Sequence, residues 1–167
     1  TVDLPSSKSV SNRALIIHAL SGGSELPGNL SDCDDTRVMI DALTRMPDTI
    51  DIGAAGTAMR FLTAYLAVTP GRHTLTGTER MPLEGGPLEI EGNVSSQYIS
   101  ALLMVGPALR RGLTLRMTGD VISRPYIDMT LWMMGEFGAD AEWTDASTIE
   151  VKPRPYVPRP YYIENDW

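Results

Sequence analysis

The sequence has a single cysteine, Cys33, and therefore cannot form an intramolecular disulfide, which excludes a disulfide-stabilised scaffold. Positive charge is scarce: 14 Lys and Arg residues stand against 21 Asp and Glu residues, and the formal net charge is −7. This balance argues against a dedicated nucleic-acid-binding protein, because neutralising phosphates requires surplus Lys and Arg. Long apolar runs are also missing. The longest stretches, such as Ala14–Leu20, fall far short of the length that a transmembrane helix needs.

The rest of the composition is that of an ordinary globular protein. Of its 167 residues, 43% are hydrophobic and 21% are charged. This predicts one compact domain whose hydrophobic core is large enough to fold without disulfide bonds or a structural metal. The chain starts at Thr1 without an initiator Met or a signal-peptide pattern, so we expect a piece of a longer protein. The missing signal and the lone cysteine predict a cytoplasmic location, although a plastid transit peptide trimmed from the start is an open alternative.

A unit of capped helix, strand, capped helix and strands begins three times along the chain. In the first unit, the polar stretch Leu4–Arg13 leads into an apolar helix over Ala14–Leu20, and Gly22 ends it. A weak strand over Ser24–Leu30 follows. Then comes a helix over Thr36–Met46 that Ser31–Asp35 cap, and a short strand over Thr49–Ile52.

The second unit opens at Gly53 and the third at Gly92. The third is complete, with helices over Tyr98–Val105 and Tyr126–Phe137 and three strands, Leu113–Met117, Ala141–Trp143 and Thr148–Val151. The second lacks its second helix after Pro82, so roughly thirty residues are absent relative to its siblings. A plain hairpin loop over Pro82–Pro87 is the alternative.

These repeats predict an α/β fold with the following boundaries. Residues 1–153 form the domain, with units of about 1–52, 53–86 (truncated) and 87–153. The segment 154–167 is rich in proline and aromatic residues, and we expect it to be extended, as a linker or a packing strap.

Each unit starts its first helix with small or polar residues and a strong hydrogen-bonding or charged group. Free backbone N–H groups and the helix dipole favour anions at such ends. Lys8, Arg13 and Arg60 add formal positive charge. Three such ends meeting in one place predict a pocket for a phosphorylated small molecule, with Ser123 and Tyr126 as further candidates at the start of another helix. The plainer interpretation is that these Ser and Thr residues only cap helices.

Several strings of residues together resemble the EPSP synthases, a family of enolpyruvyl transferases. They are Leu4–Ala14, Asp34–Arg37, Ala55–Arg60, Thr76-Gly77 with Arg80-Met81, Gly92–Tyr98 and Ser123–Asp128. They follow the family's order and span nearly the whole chain.

The resemblance implies a two-domain enzyme in which each domain has three repeated βαβαββ units in pseudo-threefold arrangement, with helices inside and sheets outside. It implies transfer of the enolpyruvyl group of phosphoenolpyruvate to the 5-hydroxyl of shikimate-3-phosphate, with release of phosphate, as a step of aromatic amino acid biosynthesis. No metal or organic cofactor is implied. The implied partners are these two substrates and the missing second domain of the same chain, with no nucleic acid, no membrane and a monomeric parent.

The resemblance also implies roles for individual residues. Lys8 would contact phosphoenolpyruvate and assist protonation or phosphate departure, which makes it the implied catalytic residue. Gly56 would let phosphoenolpyruvate approach the backbone, and Gln97 would reach both substrates. The residues implied for shikimate-3-phosphate are Ser9, Arg13, Ser95, Ser96, Gln97, Ser123 and Tyr126.

The sequence departs from the family in three places. The family's Gly-Asn-Ala-Gly string reads Gly53–Gly56 here, with Ala54 in place of Asn, which removes a polar contact near phosphoenolpyruvate. Phe61 stands where Pro is common, a change relevant to inhibitor sensitivity. The Arg-Pro-Ile string expected soon after Met81 is absent.

The family chain is more than twice as long as this one. We therefore expect this chain to bind substrate without turning it over. An active site built from one of two domains stays open to water and lacks the catalytic residues of the other domain. Two alternatives are a non-catalytic module that binds phosphorylated metabolites and a fragment that does not fold by itself. In the latter, the missing helix would expose apolar residues such as Leu62, Leu66 and Leu102.

Overall fold

A computed structural model describes residues 5–53, 55–71, 74–75 and 85–165. The helices are α1 (Lys8–Ser21), α2 (Asp34–Arg45), α3 (Gly56–Val68), α4 (Ser96–Val105) and α5 (Arg124–Glu136), with a short 3₁₀ turn over Gly106–Ala108. The strands are β1 (Thr49–Ile50), β2 (Thr74–Leu75), β3 (Gly86–Glu91), β4 (Leu113–Thr118), β5 (Ala141–Trp143) and β6 (Thr148–Val151). The fold is mixed α/β, as the sequence predicts.

Two helices are each flanked by a pair of parallel strands. β1 and β2 pair in parallel around α3, with Thr49 opposite Thr74, and β3 and β4 pair in parallel around α4, with Gly86 opposite Leu113. Parallel neighbours need such a crossover connection, and here a helix supplies it. The larger sheet continues with antiparallel pairs in the order β3-β4-β6-β5.

The core lies between the helices and one face of the larger sheet. Along β4, Leu113, Leu115 and Met117 are buried, while the alternate residues Arg116 and Thr118 are exposed. This period of two is typical of a strand with one face on the core. The helices form the opposite layer, and side-chain contacts join the first turns of α1, α2, α3 and α4.

Helix α1 is longer than the apolar run that predicts it. The sequence predicts a helix over Ala14–Leu20, but the helix begins six residues earlier, at Lys8, because the Ser7 hydroxyl accepts a hydrogen bond from the Val10 N–H and caps it there. Gly22 ends it in the left-handed conformation with φ of 71°.

The predicted strand over Ser24–Leu30 is wrong in extent. The structure has a single isolated bridge there, between Gly28 and Tyr162. The partner lies in the C-terminal segment, which returns to the start of the chain and forms a second bridge, Ser6 with Asn165. Tyr156 from the same segment donates its hydroxyl proton to the Met104 carbonyl at 2.8 Å. The segment is therefore a packing strap over the described range 154–165.

The structure also bears on two expectations about apolar residues: the exposure of Leu62, Leu66 and Leu102, and the absence of a membrane-spanning segment. Leu62 is 1% exposed, so the expectation that it lies at an uncovered face is wrong, whereas Leu66 and Leu102 are partly buried. Among the helices that the structure describes, none combines the length and apolar character that crossing a bilayer demands. The region around Pro82, where the sequence predicts the missing helix, lies outside the described residues, as does Ala54.

Candidate functional site

Side-chain contacts join the first turns of four helices. The Lys8 Nζ atom, at the start of α1, lies 2.5 Å from Oδ2 of Asp35 at the start of α2. Oδ1 of Asp35 accepts a hydrogen bond from the Thr57 N–H of α3 at 2.9 Å, and the Thr57 hydroxyl accepts one from the Gln97 Nε2 of α4 at 3.0 Å. These four residues are the first or second of their helices, so the helix starts converge, as the predicted anion pocket requires.

The guanidinium of Arg13, one turn into α1, is buried behind these helix starts. Its Nε donates to the Thr130 hydroxyl of α5 at 2.6 Å, one terminal nitrogen donates to the Ser100 hydroxyl of α4 at 3.0 Å, and the other donates to the Ser9 carbonyl at 2.9 Å. Arg13 is 2% exposed, and within the described part of the chain no carboxylate pairs with it. Burial lowers the pKa of Arg13 to about 10, which leaves it charged at neutral pH. The site thus contains a buried cation whose described partners are all neutral.

The start of α3 carries a second cation, Arg60. It donates to the Gly56 carbonyl at 2.9 Å and to Oε1 of Gln97 at 2.8 Å, and its Cζ atom lies 4.9 Å from the ring centroid of Tyr98. Its Nε is buried and has no hydrogen-bond partner among the described residues. Gln97 therefore bridges α3 and α4 with both ends of its amide, and Arg60 keeps a free donor beside it.

The start of α4 has two consecutive serines with different surroundings. The Ser95 hydroxyl is the N-cap and accepts from the Gln97 N–H at 3.4 Å. Ser96 is 9% exposed as a residue, and no hydrogen bond between described residues uses its hydroxyl. A hydroxyl without a partner in the protein is available to a ligand oxygen.

Helix α5 contacts the other helices through Thr130, which lies about one turn after the first residues of α5. The Thr130 hydroxyl donates to the Tyr126 carbonyl and also contacts Ser100, which brings α5 to Arg13. Ser123 precedes the helix, but its side chain makes no capping hydrogen bond, and the Tyr126 side chain is exposed. The contacts therefore bring together Lys8, Ser9, Arg13, Gly56 and Gln97, but do not join Ser123 to Ser95 or Ser96.

Sequence reasoning missed the role of Asp35. The sequence assigns it to the cap of its own helix, but the N-cap of α2 is Cys33, and Asp35 instead caps α3 through the N–H groups of Thr57 and Ala58. It also missed Ser100 and Thr130, whose hydroxyls hold Arg13. Nothing in local spacing links them to Arg13, because they lie 87 and 117 residues away in the chain.

Comparison with known proteins gives one consistent family. A sequence profile described as EPSP synthase (3-phosphoshikimate 1-carboxyvinyltransferase) matches residues 1–50 and 80–167. A Bacteroides fragilis protein named 3-phosphoshikimate 1-carboxyvinyltransferase is 53% identical over 202 aligned positions, which cover 100% of this chain and 49% of the relative. A Pectobacterium atrosepticum protein of the same name is 34% identical, covering 99% of this chain and 53% of the relative.

Solved structures agree on the fold. An EPSP synthase from Acinetobacter baumannii superimposes with a TM-score of 0.72 at 17% sequence identity, covering 99% of this chain and 50% of that one. The chain spans about half the length of the curated relatives it matches. Since the profile match covers most of the chain and the relatives carry one name, the chain belongs to the EPSP synthase (3-phosphoshikimate 1-carboxyvinyltransferase) family.

Proposed function

We propose that this chain is the shikimate-3-phosphate-binding domain of an enzyme that transfers the enolpyruvyl group of phosphoenolpyruvate to the 5-hydroxyl of shikimate-3-phosphate. The observation that carries the proposal is the convergence of four helix starts around Lys8, Arg13 and Arg60 in a chain whose net charge is −7. Cations concentrated at the positive ends of converging helices favour binding of a phosphorylated acid, even in a protein whose net charge is negative.

In this proposal the 3-phosphate of shikimate-3-phosphate lies at the start of α4. Ser95 and Ser96 donate hydroxyl hydrogen bonds to it, and Ser123 approaches from α5. The unpartnered hydroxyl of Ser96 supports this assignment. Tyr126, exposed at the start of α5, lines the rest of the shikimate site.

Arg13 and Ser9 hold the shikimate part of the substrate. An anionic group near the buried guanidinium of Arg13 would offset a charge that burial disfavours, since the described partners of Arg13 are neutral. Its remaining N–H donors are the groups that would reach the ligand.

Phosphoenolpyruvate lies between α1 and α3. Lys8 contacts its anionic groups and assists protonation of C3 or departure of phosphate, Gly56 allows close approach to the backbone, and Gln97 contacts both substrates. Such an arrangement works by positioning the reactants and stabilising developing charge.

The domain boundaries are also part of the proposal: residues 1–153 for the domain, with a truncated middle unit over 53–86, and 154–167 leading to a second domain elsewhere in the parent protein. The alignment with the Bacteroides fragilis relative supports the truncation, because it covers 202 positions whereas the chain has 167 residues. We further propose a cytoplasmic, monomeric parent.

Thermal unfolding with and without shikimate-3-phosphate tests the proposal. At a ligand concentration of 100 times Kd, binding to the native state contributes about 2.7 kcal/mol. In a domain of this size we expect that to raise the midpoint by about 5–10 °C. A cooperative transition that does not move contradicts the proposal.

The variant Ser96→Ala locates the site. Because the Ser96 hydroxyl has no described partner, the variant should keep the wild-type midpoint without ligand and lose most of the ligand-induced rise. Ser21→Ala is the matched control, since Ser21 lies at the opposite end of α1, and it should respond to ligand as the wild type does. Equal ligand responses in both variants would place the phosphate elsewhere.

Turnover is tested separately with both substrates and a phosphate-release assay. We expect the isolated chain to release no phosphate above background, because the half-site is open to water and lacks the second domain. Clear turnover would contradict the assignment of this chain as one of two required domains.

A further inference from the structure

Asp35 contacts two other helices and gives its own helix no cap. From the second position of α2, its Oδ1 accepts the N–H groups of Thr57 and Ala58 at 2.9 and 3.2 Å. Its Oδ2 pairs with the Lys8 ammonium at 2.5 Å. The carboxylate is therefore fixed by rigid backbone donors on one side, and it presents its other oxygen to Lys8.

The two partners differ in exposure. The Lys8 side chain is 47% exposed, whereas the Asp35 side chain is 13% exposed. A half-exposed lysine has a flexible four-carbon stem and many rotamers, so without a partner its ammonium would sample a wide volume. A carboxylate anchored to a helix start restricts that volume to one position between α1 and α3.

The charges reinforce this arrangement. The hydrogen bond from Lys8 to Asp35 raises the pKa of Lys8, with smaller contributions from the charges of Cys33 and Asp34. Burial raises the pKa of Asp35, but the hydrogen bonds from Lys8, Ala58 and Thr57 outweigh it, and the pKa lies below its usual value. Both groups are therefore charged at neutral pH, and the pair is an ionic one.

We propose that Asp35 is a positioning residue of the site, which holds the Lys8 ammonium at the start of α3 in the orientation that an anionic substrate meets. The proposal rests on the proposed function for the identity of that substrate, but the coupling between Asp35 and Lys8 does not. Lys8 would keep Asp35 as a partner while another of its three N–H donors contacts the ligand.

The chain offers an unusually clean test, because Lys8 and Lys152 are its only lysines. Selective isotope labelling of lysine therefore gives two side-chain signals in an NMR titration. Lys152 is an internal reference, since it directly follows β6 and pairs with Asp140 at 2.9 Å, away from the helix starts.

Asp35→Asn should lower the pKa of Lys8 and leave that of Lys152 unchanged. The amide oxygen of Asn can still accept the Thr57 and Ala58 N–H groups, so the cap of α3 persists and only the ion pair is lost. Asp140→Asn should do the reverse, and Asp34→Asn, with the same change in net charge, should move the Lys8 signal far less. A Lys8 titration that is unchanged in Asp35→Asn, or equally changed in Asp34→Asn, overturns the proposal.

Ligand binding separates this proposal from the proposed function. In the wild type, shikimate-3-phosphate with phosphoenolpyruvate should perturb the Lys8 signal and not the Lys152 signal. In Asp35→Asn, the phosphoenolpyruvate affinity should fall by about threefold to tenfold, the cost of ordering a free lysine side chain, while binding of shikimate-3-phosphate alone is unchanged.

A higher phosphoenolpyruvate affinity in Asp35→Asn would show that Asp35 merely neutralises Lys8, and would overturn the positioning role. If neither ligand changes the Lys8 NMR signal of the wild type, the proposed function is overturned. The pH titrations would still decide whether Asp35 positions Lys8.

Discussion

The ring of Phe61 lies against the guanidinium of Arg13, with the Arg13 Cζ atom 5.6 Å from the ring centroid. Both side chains are buried, at 0% and 2% exposure. The ring belongs to α3 and the cation to α1, so this contact links two helices whose starts form the candidate site. A cation–π contact strengthens when water is removed, and this one lies in the interior.

The first prediction concerns this contact. In a double-mutant cycle of Phe61→Leu with Arg13→Met, we expect a coupling energy of about 1–2 kcal/mol in the free energy of unfolding, measured with urea. The cycle separates the contact from the packing that each single variant loses. Independent effects that simply add would show that Phe61 fills space beside Arg13 without stabilising its charge.

The second prediction concerns the acceptor for Arg13 on α5. Thr130→Val keeps the shape of the side chain but removes the oxygen that accepts the Arg13 Nε proton at 2.6 Å. Leaving a donor of a buried charged group unpaired costs about 1–3 kcal/mol or more. Thr69→Val is the control. Thr69 directly follows α3, and among the described residues its hydroxyl donates to the Tyr65 carbonyl of that helix, so we expect a loss below about 1 kcal/mol. Similar losses in urea unfolding would contradict the structural role of Thr130.

The third prediction concerns alkaline pH. Burial raises the pKa of Tyr156 well above its usual value of 10.0, so the folded state keeps the phenol proton at pH values where the unfolded chain loses it. Stability should therefore fall above about pH 10, and Tyr156 alone should contribute about 1.4 kcal/mol per pH unit to the slope.

Tyr156→Phe isolates this contribution. It should lower stability by about 1 kcal/mol at pH 8, through loss of the hydrogen bond to the Met104 carbonyl, and should make the decline above pH 10 shallower. A slope equal to that of the wild type would mean that the phenol titrates normally in the folded state.

Local pattern is sufficient for the elements whose partners are close in the chain. The strands Ala141–Trp143 and Thr148–Val151 have the bounds that the alternation predicts, since they pair with each other across a short turn. The predicted strand over Ser24–Leu30 fails because its partner, Tyr162, lies in the distant C-terminal segment. A sequence window contains no information about such a pairing.

The same distinction applies to the site. The helix starts at Gly56 and Ser96 are close to where the glycines and caps place them, whereas α1 begins at Lys8, six residues before the predicted start at Ala14. The partners of each side chain are not predictable in this way. Asp35 lies in the first turn of α2, where an acidic residue is expected, yet it caps α3, because the packing of α2 against α3 brings the Thr57 N–H group within 2.9 Å.

The fourth prediction compares two glycines that have similar positive φ angles and different surroundings. Gly112 and Gly119 have φ values of +64° and +71°. A Cβ atom at Gly112 would lie 2.2 Å from the Val151 carbonyl oxygen, whereas at Gly119 nothing lies within 4 Å. The left-handed conformation costs a residue other than glycine about 1–2 kcal/mol at either position. We therefore expect Gly119→Ala to lose about that much in urea unfolding.

Gly112→Ala should lose a further 1–3 kcal/mol or so, because the added methyl group meets backbone that cannot move alone. Val151 pairs with Leu113 where β4 begins, so a shift of its carbonyl would break the register of β4 and β6. Equal losses of unfolding free energy in the two variants would mean that β6 moves to accommodate the methyl group, and that other contacts fix the register of the larger sheet. Unequal losses would place the constraint at the turn before β4, the strand whose apolar face carries the core.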